Sequence, residues 1–237
     1  MKSKEQIKSE LAGQYYGKTA EEYDSIRADD PRRRAVIEIQ KNITRSFLKD
    51  AGKSNILDVA CGTGRFFELY APREIYGIDI SSDMLKIAGK RKGVKKVMVA
   101  DAEKIPFKDN TFDVVNTSQF MMHTPFYKNV ISDMTRVAKP GGSIIIDFPN
   151  RYSISYFFTR RRVKTGVFRH YNMFTKRQIY EIAKENNLEI KEIRGTVVFS
   201  PMFLPKSIVN FSMNLNSILL KIFPVFTYVR YVHFIKR

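Results

Sequence analysis

Apolar positions along the chain switch repeatedly between helical spacing and short unbroken runs. Val36, Ile39, Ile43 and Phe47 recur every three or four residues and predict a helix, with Asp30 as its N-cap, Pro31 in the first turn and Gly52 closing it. Residues 55–60 then predict a short strand that ends in a glycine loop. After a brief helix a second strand spans 74–80, and Ser81 or Ser82 is placed to cap the helix that runs towards Gly93. Further strands are expected over 96–100, 112–117 and 143–148, with a helix over 129–138 before the last of them. Residues 175–187 predict another helix and 188–200 another strand. The stretch 204–223 is helical in period, and 226–235 returns as a final strand.

Strands separated by helices imply right-handed crossovers and a mostly parallel sheet covered on both faces, so the fold class is α/β and Rossmann-like. No repeat, low-complexity tract or Pro/Gly/Ser-rich linker divides the 237 residues. One domain is expected, with a helical cap over 1–52, a ligand-binding core over 53–150, and an acceptor-side insertion with C-terminal strands over 151–237. In such sheets ligands bind beyond the carboxyl ends of the strands.

The chemistry-bearing residues stand at those ends. Gly62 and Gly64 follow the first strand, where missing side chains let a ligand approach the backbone. The third position of a dinucleotide fingerprint is Phe67, which weighs against a nicotinamide or flavin. Asp79 ends the second strand, where a carboxylate can accept both hydroxyls of a ribose. Asp101 ends the third, where an acceptor meets the amino group of an adenine.

The segments Asp58-Val59-Ala60-Cys61-Gly62-Thr63-Gly64, Gly77-Ile78-Asp79-Ile80-Ser81, Asp101-Ala102-Glu103-Lys104-Ile105-Pro106-Phe107 and Arg136-Val137-Ala138-Lys139-Pro140-Gly141-Gly142 together resemble the motif series of class I S-adenosylmethionine (SAM)-dependent methyltransferases. The resemblance is strongest to the branch acting on quinones, sterols and other small molecules, and it covers roughly residues 14–150. It implies a seven-stranded sheet with an antiparallel final strand at its edge, SAM as cofactor and S-adenosylhomocysteine as product. It also implies residue roles. Ala60, Cys61, Gly62 and Gly64 would pass under the methionine part of the cofactor, with Asp58 supporting the loop. Asp79 would hold the ribose, Ile80 and Met84 would flank the adenine, and Asp101 with Ala102 would face its amino edge. Asn116 would lie near the methionine and the transferred methyl. The segment 14–24 resembles the part of the family that closes over the cofactor, which makes Tyr16 and Tyr23 candidates beside the plainer reading of helix packing.

Composition narrows the setting. One cysteine, Cys61, excludes an intrachain disulfide and a cysteine zinc site, and with a charged N-terminus it predicts a cytoplasmic protein without a signal peptide. Three scattered histidines give no metal-ligand spacing. The formal charge of +17 favours anionic partners, whether metabolites, nucleic acid or acidic lipid. Arg160, Arg162, Arg169, His170 and Tyr171 fall in an acid-free basic and aromatic stretch, which suits clamping an anionic acceptor, lying on a bilayer or stacking on bases; a solvated insertion is the plainer alternative. His123 is the candidate base if the acceptor must lose a proton, and a structural histidine fits the same position. Asn116-Thr117-Ser118-Gln119 departs from the signature of base-amine methyltransferases, which disfavours nucleic acid. The apolar face of 204–223 reads as a core or dimer face, or as a peripheral membrane contact. The expected reaction is methyl transfer to a small or lipid-like molecule, with RNA methylation and non-catalytic SAM binding as alternatives.

Overall fold

A computed structural model describes residues 5, 6, 9, 18–154 and 171–237. Seven strands form one sheet in the order β3-β2-β1-β4-β5-β7-β6. They are β1 (Asn55–Val59), β2 (Glu74–Asp79), β3 (Val94–Val99), β4 (Phe112–Thr117), β5 (Ala138–Pro149), β6 (Leu188–Gly195) and β7 (Val229–Lys236). The pairings among β1 to β5 are parallel, and β7 runs antiparallel to both its neighbours. The reversed final strand is thus as expected but does not sit at the edge. It lies between β5 and β6, and β6 forms the edge.

Strand alternation splits the core into two layers. Leu57 and Val59 of β1 join one cluster with Val130, Ile131 and Met134 of helix α4 (Tyr127–Val137) and with Ile179 and Ile182 of α5 (Lys176–Glu185). Ile56 faces the other side, with Ile43 and Phe47 of α2 (Pro31–Leu48) and Leu85 of α3 (Ser82–Ala88). The helix starts follow their capping residues. The Asp30 carboxylate accepts from Arg32 N at 2.9 Å ahead of Pro31, and Ser81 caps α3. Thr175 and Gln178 close a capping box on α5. The N-terminal α1 (Lys18–Ala28) precedes these helices, and α6 (Val209–Ile222) lies between β6 and β7.

The last third departs from expectation in two places. β6 ends at Gly195, short of residue 200. Beyond it the backbone N–H groups of Val198 and Phe199 donate to the Asn216 side-chain oxygen, at 2.9 and 2.8 Å, and are lost to any ladder. α6 begins at Val209 because Pro205 and two 3-10 turns, Pro201–Phe203 and Lys206–Ile208, break the helical period before it. The core-face reading of that period is overturned. Phe211, Leu215, Ile218 and Ile222 are exposed, and the buried residues of α6 are Val209, Ser212 and Asn216.

Candidate functional site

The carboxyl ends of β1 to β4 open into a cleft. Its floor begins where β1 runs out. Ala60 and Gly62 take left-handed backbone angles, φ 57° and 55°, which turn the chain sharply below the cleft. A Cβ on Gly62 would meet no atom within 4 Å, so the open space there is available to a ligand. Gly64 has another task. Its Cβ would fall 2.7 Å from the Phe67 ring, so it packs the loop onto the turn Phe67–Leu69 and does not line the cleft.

Asp79 joins two loops. Its carboxylate accepts from Gly62 N at 2.8 Å and from Ser81 N at 2.9 Å. Burial pushes its pKa up while these backbone donors pull it down, and the net direction is upward. Asp101 lines the same cleft and accepts from Glu103 N at 3.0 Å. Ile80, Met84 and Ala102 supply apolar wall between the two acids. Cys61 also lines the cleft; burial holds its thiol well above the ordinary range, so it is an inert wall residue.

Asp58 touches the cleft from beneath. Its carboxylate accepts from the Tyr70 hydroxyl at 2.7 Å and from Asn116 Nδ2 at 3.1 Å, and Asn116 also donates to Tyr70 at 2.8 Å. Burial raises the Asp58 pKa to about 7 against the pull of both donors. Asn116 stands beneath the cleft and is not among its lining residues: register places it directly beside Asp58 on β4, where it is fully buried, holds Asp58 through Nδ2 and leaves Oδ1 without a hydrogen-bond partner.

Arg65, one residue past the glycine pair, carries no expectation from the sequence. It lines the cleft, donates from Nη2 to Gln119 at 3.1 Å, and leaves Nη1 buried without a hydrogen-bond partner. A buried, unsatisfied guanidinium nitrogen beside a cleft is a ready place for a carboxylate. Above it, α1 closes over the loop. Asp24 accepts from the Thr63 hydroxyl at 2.7 Å and pairs with Arg91, whose Nε reaches Thr63 O at 3.1 Å. Tyr23 lines the cleft with the Arg27 guanidinium 3.6 Å from its ring centre.

The far wall is Phe120, His123, Thr124, Phe126 and Val130. Burial and the nearby Arg27 charge lower the His123 pKa to about 4, so its imidazole is neutral at neutral pH and a weak base. Tyr171 stands behind it, ring edge to ring face at 6.4 Å, with its hydroxyl 3.3 Å from that of Tyr228. Tyr171 is not a lining residue. Tyr16, Arg160, Arg162, Arg169 and His170 lie outside the described residues.

The donor set fits an adenosyl sulfonium nucleoside: acids at successive strand ends, an open glycine turn and, on Arg65, a guanidinium that pairs with Asp24 at 3.9 Å yet leaves Nη1 without a hydrogen-bond partner. Residues 57–146 match a family model described as a methyltransferase domain. An uncharacterised protein of Methanocaldococcus jannaschii is 33% identical over 76% of this chain and 83% of its own length. A demethylmenaquinone methyltransferase of Anoxybacillus flavithermus is 32% identical over 60% of this chain, and the match spans only 63% of that enzyme. Among solved structures, the magnesium protoporphyrin IX methyltransferase of Synechocystis PCC 6803 with bound S-adenosylhomocysteine superposes with a TM-score of 0.69 at 15% identity, covering 98% of this chain and all of that one. Sheet order, cleft and family model agree: this chain belongs to the class I SAM-dependent methyltransferases.

Proposed function

We propose that the chain transfers the methyl group of SAM to a small, largely apolar or lipid-like acceptor and releases S-adenosylhomocysteine. The observation that carries the acceptor class is the far wall: Phe120, His123, Thr124, Phe126 and Val130 are apolar or neutral, and Arg65 is the sole basic residue among the described lining residues. A polyanion such as RNA would need cations along its path. The relatives named for demethylmenaquinone agree with an acceptor of this kind.

Bound SAM supplies an electrophilic methyl for in-line displacement, a reaction that proximity and alignment accelerate strongly. The chain's own residues have positioning tasks. Asp79 would accept the ribose hydroxyls, Asp101 and Ala102 would face the adenine edge with Ile80 and Met84 beside the ring, and the turn at Ala60–Gly62 would pass under the methionine part. Arg65 Nη1 would take the methionine carboxylate. Tyr23 and α1 cover the cleft and exclude water. His123, its pKa lowered to about 4, would face the acceptor as a neutral imidazole with one N–H to donate and would be a poor general base.

Incubating the purified protein with methyl-labelled SAM and a cell extract, then separating lipids, small molecules and RNA, tests this reading. Label in the lipid or small-molecule fraction is expected. Label in RNA would overturn the acceptor class, and tight S-adenosylhomocysteine binding without any label would overturn catalysis.

A further inference from the structure

Helix α6 is built inside out. Of its buried residues, Ser212 and Asn216 are polar and only 5% and 3% exposed, while Phe211, Ile218 and Ile222 are 70%, 55% and 60% exposed. Leu215 completes this outward stripe, Ile208 begins it one turn earlier, and Phe223, Val225 and Phe226 extend it past the helix, all exposed. Asn216 fixes the orientation. Besides accepting from Val198 N and Phe199 N, its amide donates to Phe199 O and to Ser212 O, each at 2.9 Å. Rolling the helix to bury the stripe would break this set and leave buried backbone donors unpaired.

A continuous apolar strip of this kind marks a surface that meets something less polar than water. Charge indicates what. Lys206 and Lys221 stand exposed near the two ends of the strip, and no Asp or Glu occurs from Ile193 to Arg237. Pairing this face with a second copy would bring together two chains of formal charge +17, whereas an anionic leaflet attracts it. Among the described residues no helix is long and apolar enough to cross a membrane, so contact would lie along the surface. We propose that α6 and the turn after it dock on an anionic phospholipid surface, with the apolar strip at the acyl–headgroup boundary and Lys206 and Lys221 among the headgroups.

The placement gives this docking a use. β6 runs parallel to β5, so its end at Gly195, and the 196–228 segment that follows, stand at the same edge of the sheet as the cleft. Asn150, just past β5, donates from its side chain to Val225 O and Thr227 O and pins the turn after α6 there. Tyr228, Tyr171 and His123 then link that turn to the far wall of the cleft. The docking stands on the exposed surface alone; its purpose, presenting the cleft to an acceptor held in the lipid, rests on the function proposed above.

The test is co-sedimentation of the full chain, without cofactor, with vesicles of phosphatidylcholine alone and of equal parts phosphatidylcholine and phosphatidylglycerol. Binding to the mixed vesicles is expected, weakening as salt is raised. The double variant Phe211→Glu with Ile218→Glu should bind at least about tenfold more weakly, because two large side chains no longer leave water. Its melting temperature and S-adenosylhomocysteine affinity should stay those of wild type. Lys206→Glu with Lys221→Glu should lose the preference for phosphatidylglycerol. Failure of wild type to sediment with the mixed vesicles, or equal binding by the Phe211→Glu, Ile218→Glu variant, would overturn the proposal. A dimer in sedimentation velocity that this variant dissolves would also overturn it, by making the face a subunit interface. Vesicle binding with label only in polar products would sink the acceptor class and leave the docking intact.

Discussion

The two halves of the sheet's carboxyl edge treat polarity in opposite ways. Over β1 to β4 the edge gathers Asp58, Asp79 and Asp101 around an open glycine turn, and Asp79 joins two of its loops. Over β5 to β7 acids vanish from the sequence after Glu192, polar side chains are turned inward on α6, and apolar ones face out. One half turns acids towards a cleft, the other turns apolar side chains towards the surface. If the halves are energetically separate, a change in either should leave the other's function standing.

The largest effect is expected at Asn216→Ala. Two backbone N–H groups, that of Val198 buried and that of Phe199 half-buried, lose their acceptor, at about 1–3 kcal/mol each. Urea unfolding should show a loss of about 4 kcal/mol, while S-adenosylhomocysteine affinity, measured by calorimetry on the folded protein, should hold. A parallel fall in affinity would break the separation. Asp79→Ala comes next and sharpens the other side. Losing one or two charge-assisted hydrogen bonds should weaken S-adenosylhomocysteine by about 1.5–3 kcal/mol for each, and vesicle binding should not change. Unchanged affinity in calorimetry would remove Asp79 from the ribose site.

Asp147 lies under the seam between the halves, fully buried in β5, with one oxygen accepting from Gln119 N at 2.8 Å. Burial raises its pKa from 3.8 to about 7, so in that range the folded chain holds a proton that the unfolded chain has released. This carboxyl therefore favours folding at low pH and loses that advantage as pH rises to about 7. Asp147→Asn does not titrate, so its stability relative to wild type should climb by on the order of 4 kcal/mol between about pH 4 and 8, followed by urea unfolding at several pH values. A constant difference would show that Asp147 does not titrate across that range. The smallest effect is Phe211→Glu, at a site 70% exposed, which should shift stability by no more than about 0.5 kcal/mol in either direction. A larger loss would mean that the strip is covered within the chain.

The same comparison explains what the sequence made legible. The cofactor half was readable because its backbone demands particular residues: glycine where the turn opens to ligand, and acids at successive strand ends. The bond of Asn116 to Asp58 was not legible because its neighbour is set by strand order; only when β4 lies beside β1 does it stand next to Asp58. Arg65 was passed over because one arginine after a glycine loop carries no signal until the burial of its guanidinium is seen. In α6 the period announced a helix correctly, but apolar spacing cannot say which side faces the protein. That choice belongs to Asn216, whose four partners come from a loop and from its own helix.

The seat of β7 between β5 and β6 has a consequence for how the molecule is made. A ribosome delivers β6 before β7, yet β7 is the only strand with which β6 pairs among the described residues. Until β7 emerges, β6 has no place in the sheet, and β5 presents an open rim of unpaired amides and carbonyls on that side. Any sheet formed before β7 is therefore limited to β1 to β5, and the last strand made is the one on which the strand before it depends: β7 closes the rim of β5 and offers β6 its one ladder among the described residues.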